Sequence, residues 1–148
     1  MICILVNIST FVGQISMRRW YLIDAKEKKI GKIATIACNL LRGKDKVEFE
    51  AYKDGGDSVV IINSDLLAIH PKKSIGKEYF RHSGYPGGLK KETLGEVMQK
   101  DSRKVLHRAI YGMLPTNRLR SSWMKRLKIY KDENHKHKAQ KLEKVEGV

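Results

Sequence analysis

The chain has 148 residues, 41% of them apolar, and its 30 lysines and arginines outnumber its 16 acidic residues to give a formal net charge of +14. This length and apolar content suit one domain with one hydrophobic core and exclude a disordered chain. Most of the excess charge lies in residues 103–148, which hold thirteen cations and four anions. Basic charge gathered in one part of a compact domain favours a polyanionic partner, nucleic acid above all.

The first sixteen residues carry no charged side chain. They lack the basic leader and clear cleavage site of a signal peptide, and they are too short to span a bilayer. We predict that residues 1–16 are an over-extended start or a disordered segment, the alternative being a targeting or strand-forming segment. Cys3 and Cys38 are far apart and form no C-x-x-C pair, so the sequence predicts no disulfide and no zinc site, and it fits a reducing, cytoplasmic location.

The first elements alternate between strand and helix. Residues 20–23 are an aromatic and β-branched run typical of a buried strand. Apolar residues at helical spacing from Ile33 to Leu41 predict a helix that ends at Gly43. The four β-branched residues 59–62 are typical of a strand buried on both faces, which indicates a parallel sheet covered by helices. Asp54 and Asp57 flank two glycines before this strand, and we expect their side chains to cap the turn.

The later elements are predicted less sharply by the sequence. A weak strand near residues 66–69 leads into a basic loop at Lys72 and Lys73. Apolar periodicity predicts helices at 92–98, 103–113 and 119–127, then a last strand at 127–130. The tail after Glu133 is polar, and we expect it to become ordered only on its partner.

Two strings rich in turn residues are the most informative part of the sequence. In residues 81–90, turn-forming glycines and a proline are flanked by cations, so that backbone amides and positive side chains can approach an anionic surface together. The string 112–115 ends a predicted helix at Pro115. It opens onto a basic run with no carboxylate between Pro115 and Asp132. Most aromatic side chains lie in apolar runs and are predicted to be core; Tyr85 is the one expected to touch RNA.

Motifs for catalysis are missing from the sequence. There is no G-x-G-x-x-G, and the three Gly-Lys steps at Gly31, Gly43 and Gly76 lack the Ser or Thr of a P-loop. His135 and His137 have no cysteine or carboxylate cluster to complete a metal site. We therefore predict no enzymatic activity, no cofactor, no metal, no small-molecule substrate and no membrane association.

Several strings resemble the ribosomal protein L13 family of the large subunit, in its bacterial form. The matching strings, which span residues 19 to about 140, are Trp20-Tyr21, Asp24-Ala25, Gly31 to Ala34, Leu41 to Lys44, Gly56-Asp57, Val59 to Asn63, Arg81 to Lys90, Gly112 to Pro115, Asn117 to Leu119, Leu127 to Tyr130, His135-x-His137 and Ala139-Gln140. The resemblance departs at His70-Pro71, Ser121-Ser122 and residues 131–133, and it does not include residues 1–16.

The resemblance implies a three-layer α/β/α domain with a four-stranded, largely parallel sheet, basic loops and a C-terminal extension. We predict a single rRNA-binding domain at residues 17–133 and a basic polar tail at 134–148. The implied partners are large-subunit ribosomal RNA and neighbouring large-subunit proteins, the implied location is the cytoplasmic ribosome, and binding is expected early in subunit assembly. A free-standing regulator that represses a messenger RNA is the alternative, since the same cations would serve it.

We predict that RNA contacts come from the helix end near Gly43, the glycine string, the basic run and the tail. The residues are Arg42, Lys44, Lys46, Arg81, His82, Gly84, Tyr85, Gly87, Gly88, Lys90, Lys91, Arg108, Arg118, Arg120, Lys125, Arg126, Lys128, His135 and His137. Phosphate contacts should dominate, because A-form RNA is recognised mainly by its shape and backbone.

Overall fold

The computed structural model describes residues 18–145. Its elements in chain order are β1 (Trp20–Asp24), α1 (Ile30–Arg42), β2 (Ser58–Ile62), a 3₁₀ turn (Ser64–Leu66), α2 (Pro71–Gly76), β3 (Glu78–His82), β4 (Leu89–Thr93), α3 (Leu94–Met113), α4 (Arg120–Arg126), β5 (Leu127–Ile129) and β6 (Leu142–Lys144). The prediction for residues 1–16 lies outside the described residues.

The main sheet has four strands in the order β5-β2-β1-β6, and each neighbouring pair is parallel. Strand β2 occupies an inner position, and all five of its residues are buried, as the continuous β-branched run predicts. In β1, Ile23 is fully buried and the other four residues are half-buried, so the predicted strand is present but only partly buried. Helices flank this sheet, which confirms the predicted α/β class.

Helix α1 packs its apolar stripe into the main core. Ile33, Ala37 and Leu41 are fully buried there against residues of β2, α3 and α4. The helix ends at Gly43, which has φ 75° and donates its backbone N–H to Leu40 O at 3.1 Å. A side chain at Gly43 would also strike the backbone of Gly55, so both the turn and the packing require glycine.

Helix α3 is two helical segments joined at Asp101. Thr93 caps its start through a reciprocal pair of hydrogen bonds with Glu96. Asp101 has non-helical backbone angles (φ −161°, ψ 99°), and its Oδ1 accepts from Arg103 N at 3.3 Å, which caps the second segment. The prediction of separate helices at 92–98 and 103–113 therefore reflects a real break, although residues 92–93 belong to β4.

Three sequence expectations are wrong. Residues 66–69 form no strand: a 3₁₀ turn ends at Leu66, and Ala68 makes one isolated bridge with Lys29. Lys72 and Lys73 lie in helix α2 rather than a loop. Residues 142–144 of the tail form β6 and pair with β1 at the sheet edge, so this part of the tail docks on the protein itself rather than only on a partner.

The sequence also contains a signal for the start of α2. His70 Nδ1 accepts from Lys72 N at 3.2 Å as the N-cap, and Pro71 follows at the first helical position. This arrangement is a helix-start signal, since proline at that position loses no needed donor.

Candidate nucleic-acid interface

Strands β3 and β4 form an antiparallel hairpin outside the main sheet. Its register places Arg81 directly opposite Lys90. Like charges at opposed positions destabilise a strand pair, and neither side chain has a carboxylate within salt-bridge distance among the described residues. The arrangement therefore suits an anionic partner that would neutralise both cations.

The hairpin tip is a glycine-dependent turn. Gly84 and Gly87 have φ of 90° and 74°, values that side chains other than glycine rarely adopt. His82 Nδ1 accepts from Gly84 N at 3.0 Å, and a side chain at Gly88 would strike Ser83 Oγ. Residues 81–87 are all exposed. The structure thus confirms an exposed turn with cations on both sides, while its contact with RNA stays a prediction.

Two aromatic rings are exposed on this hairpin. Tyr85 at the tip is 76% exposed, and Phe80 in β3 is 61% exposed with Lys91 Nζ at 5.4 Å from its ring centroid. Phe80 is an exception to the prediction that most aromatic side chains are core, because strand alternation turns the neighbouring Tyr79 toward α3 and Phe80 away from it. If the hairpin had been predicted, the alternation of side chains along β3 would have indicated that Phe80 is exposed.

The cations after α1 have different roles. Lys44 is exposed, whereas Arg42 is half-buried with its guanidinium 5.6 Å from the Phe49 ring centroid. Lys46 Nζ lies 2.6 Å from Asp57 Oδ1, and the Asp57 side chain is buried. The same oxygen accepts from Arg19 N at 2.9 Å, so Asp57 binds distant residues instead of capping its own turn, and the turn-capping expectation is wrong.

Arg126 is held inside the protein by Asp54. Its two terminal nitrogens donate to the two Asp54 carboxylate oxygens at 2.6 and 2.5 Å, and Nη2 also donates to Leu41 O at 3.1 Å. Trp123 Nε1 donates to Asp54 Oδ1 at 3.0 Å. The hydrogen bonds from Arg126 hold the pKa of Asp54 below its ordinary value.

The Arg126 side chain is only 11% exposed. Although the basic run contains no carboxylate, Arg126 has an acidic partner from a distant loop, and Asp54 is an ion-pair partner rather than the predicted turn cap. A bidentate pair of this kind fixes α4 to the end of α1, because Asp54 and Leu41 O are reached by the same guanidinium.

Arg120 and Arg108 lie over aromatic rings. The Arg120 guanidinium lies 3.9 Å from the Tyr111 ring centroid, and its Nη2 donates to Leu114 O at 2.9 Å. Arg108 lies 4.7 Å from the centroid of Tyr79. Tyr111 itself is 47% exposed, so its predicted place in the core is wrong.

Three cations of the basic run are exposed. Arg118, Lys125 and Lys128 have no carboxylate within salt-bridge distance in the described part of the chain. Lys128 lies on β5, an edge strand of the main sheet. These three residues remain available to an external anion.

The two tail histidines pack against aromatic rings. His137 lies 5.0 Å from the Trp20 ring centroid and 6.0 Å from that of Tyr130, and His135 lies 6.4 Å from Tyr130. Both are half-buried. Their geometry fits anchoring of the tail on the sheet, and the predicted RNA contacts of these histidines stay untested.

Within residues 18–145, no group of His, Cys, Asp or Glu side chains is arranged to hold a metal ion. No helix in that part of the chain is long and apolar enough to cross a membrane. Cys38 is buried, and burial raises the pKa of its thiol to about 11.

Comparison with known proteins identifies the family of this chain. The family model described as "Ribosomal protein L13" matches residues 18–136. The large ribosomal subunit protein uL13 of Mycobacterium bovis (strain BCG / Pasteur 1173P2) is 49% identical over 123 residues, 83% of this chain and 84% of the relative. The uL13 protein of a Nocardioides species is 45% identical over 124 residues, which are 84% of this chain and 84% of the relative. The uL13 protein of Mycobacterium leprae (strain Br4923) is 48% identical over 121 residues, which are 82% of this chain and 82% of the relative. This family is one of structural, non-enzymatic ribosomal proteins. The chain therefore belongs to the ribosomal protein L13 family.

Proposed function

We propose that this protein is a structural constituent of the large ribosomal subunit that binds large-subunit rRNA, and that it does so early in subunit assembly. Its partners are then that rRNA and neighbouring large-subunit proteins, and its location is the ribosome. Family membership and the large-subunit names of its relatives support the first part.

The observation that carries rRNA binding is the β3–β4 hairpin. It places Arg81 opposite Lys90 and exposes Phe80 and Tyr85 beside them. Cations without acidic partners suit phosphates, and exposed rings suit unpaired bases. Nothing in the described fold requires either feature.

We propose a contact surface that is narrower than the one predicted from the sequence. We assign phosphate contacts to exposed cations on the helix end, the hairpin and the basic run: Lys44, Arg81, Lys90, Lys91, Arg118, Lys125 and Lys128. Arg126 and Lys46 are committed to Asp54 and Asp57, so we assign them to the stability of the domain.

Crosslinking the protein to RNA in cells and sequencing the bound fragments tests this function. The proposal predicts that large-subunit rRNA dominates the crosslinked fragments and that the sites are present in precursor particles. Crosslinks confined to a messenger RNA would support a free-standing regulator instead.

A further inference from the structure

A cavity of about 740 Å³ lies between the start of α1, α2 and the second half of α3. Its walls are apolar at Ile30, Ile69, Leu94 and Met113. This volume is within the range of small-molecule pockets. The hairpin emerges from its rim, because Lys77 precedes β3, Leu94 follows β4, and Leu94 N donates to Lys77 O at 2.8 Å. The cavity is therefore continuous with the hairpin.

The rim of this cavity is cationic. Lys29, Lys73, Lys77 and Arg108 line it, and no acidic side chain is among its described lining residues. None of the four cations has a carboxylate within salt-bridge distance in residues 18–145. Lys77 and Arg108 both lie over the Tyr79 ring, at 5.4 and 4.7 Å from its centroid. A ligand that fits must be anionic at its edge and apolar or aromatic in its body.

Two helical glycines line the same cavity, Gly31 in the first turn of α1 and Gly112 in the last turn of α3. Neither has a positive φ, and a Cβ at either position would meet no atom within 4 Å. Glycine is destabilising in a helix relative to alanine. The fold therefore does not explain these glycines, whereas close approach of a ligand to the helix backbone does.

We propose that this glycine cavity, defined by Gly31 and Gly112, receives one unpaired nucleotide of the rRNA. Its base lies against the apolar walls and its phosphates lie at Lys73, Lys77 and Arg108. The inference rests on the proposed function and adds a site of base recognition to it. Unpaired nucleotides are the parts of RNA that proteins read by sequence, since their bases can leave the stack. Continuity with the hairpin favours RNA over a protein segment.

The test fills the cavity without removing charge. Gly112→Leu places a side chain in open space, and Gly112→Ala adds only a Cβ at the same position, so the loss of binding should grow with the size of the added side chain. The probe is full-length large-subunit rRNA transcribed in vitro, read by binding affinity and by base-specific chemical probing. Gly31→Leu repeats the test from the α1 wall. Thermal melts confirm that each variant is folded at the temperature of binding.

We expect Gly112→Leu and Gly31→Leu each to lose protection at the same one or two unpaired bases and to bind about tenfold more weakly, the scale of losing one base contact. Gly112→Ala should lose the same protections to a smaller degree. The inference alone fails if folded Gly112→Leu protein gives the complete wild-type footprint and affinity. If Gly112→Leu keeps the wild-type footprint but incorporates poorly into subunits, the cavity binds a protein segment and the proposed nucleotide site is wrong. Absence of any footprint by the wild-type protein would refute the proposed function itself.

Discussion

Replacing Arg126 by alanine should destabilise the domain strongly, although neighbouring cations of the basic run are exposed. The change removes both hydrogen bonds to Asp54 and the bond to Leu41 O. Breaking a buried ion pair by removing one partner costs about 3–5 kcal/mol. The Asp54 side chain is 22% exposed, so water screens part of the stranded charge. We expect a loss of about 2–3 kcal/mol in the free energy of unfolding.

The assay is thermal unfolding of Arg126→Ala beside Arg118→Ala, which removes the same charge from an exposed site. At about 3–4 °C per kcal/mol, Arg126→Ala should melt about 6–12 °C lower than wild type. Arg118→Ala should change the stability by no more than about 0.5 kcal/mol. If the two variants melt within about 2 °C of each other, the structural assignment of Arg126 is wrong.

The same pair should show a pH dependence with a definite sign. Arg126 lowers the folded-state pKa of Asp54 from its ordinary 3.8. The stability from this pair is therefore complete above pH 3.8 and is lost as the pH falls through the lowered folded-state pKa. The difference between wild type and Arg126→Ala should be full at neutral pH and should shrink in acid, as followed by denaturant unfolding across a pH series.

Three further predictions concern the hairpin and α3. Gly87→Val should strain the turn by about 1–3 kcal/mol because its φ is 74°, so it should lower the melting temperature by about 3–12 °C and weaken rRNA binding. Wild-type affinity would show that the turn tolerates β-branched residues. Phe80→Ala should weaken rRNA binding by about 1–3 kcal/mol and leave the melting temperature unchanged, whereas replacing the buried Trp123 by alanine should lower the melting temperature. If both variants lower the melting temperature equally, Phe80 belongs to the core. Gly112→Ala should raise the free energy of unfolding by about 0.5–1 kcal/mol, because its Cβ meets open space; a loss of stability would show a steric reason for this glycine.

The sequence predicts those parts of the fold that local chemistry determines. The run at 59–62 indicates an inner strand because every position there is apolar, and Gly43 marks the end of α1 because only that residue suits its φ of 75°. Strand β6 could not be predicted in this way. Leu142–Lys144 is a short polar segment, and its pairing with β1 depends on the whole chain returning to the sheet edge.

The candidate site shows the same division. Turn glycines at positions 84 and 87 are predictable, because their conformations are local. The different roles of Arg126 and Arg118 could not be predicted, since both belong to the same basic run. They differ because the fold brings Asp54 from a distant loop to Arg126. The exposure of Phe80 depends on the β3–β4 hairpin, which is not among the elements predicted from the sequence.

If exposed cations of the hairpin bind rRNA phosphates, the affinity must fall with salt, because each neutralised phosphate releases condensed counterions. The affinity of the wild-type protein for in vitro transcribed large-subunit rRNA is measured across a salt series, beside the folded double variant Arg81→Gln/Lys90→Gln. We predict that the logarithm of the wild-type affinity falls by more than about two units per decade of salt, at about 0.7–0.9 per phosphate contact. The double variant should be shallower by about 1.4–1.8. A wild-type slope below about two, or equal slopes for the two proteins, would show that the hairpin cations do not bind rRNA phosphates.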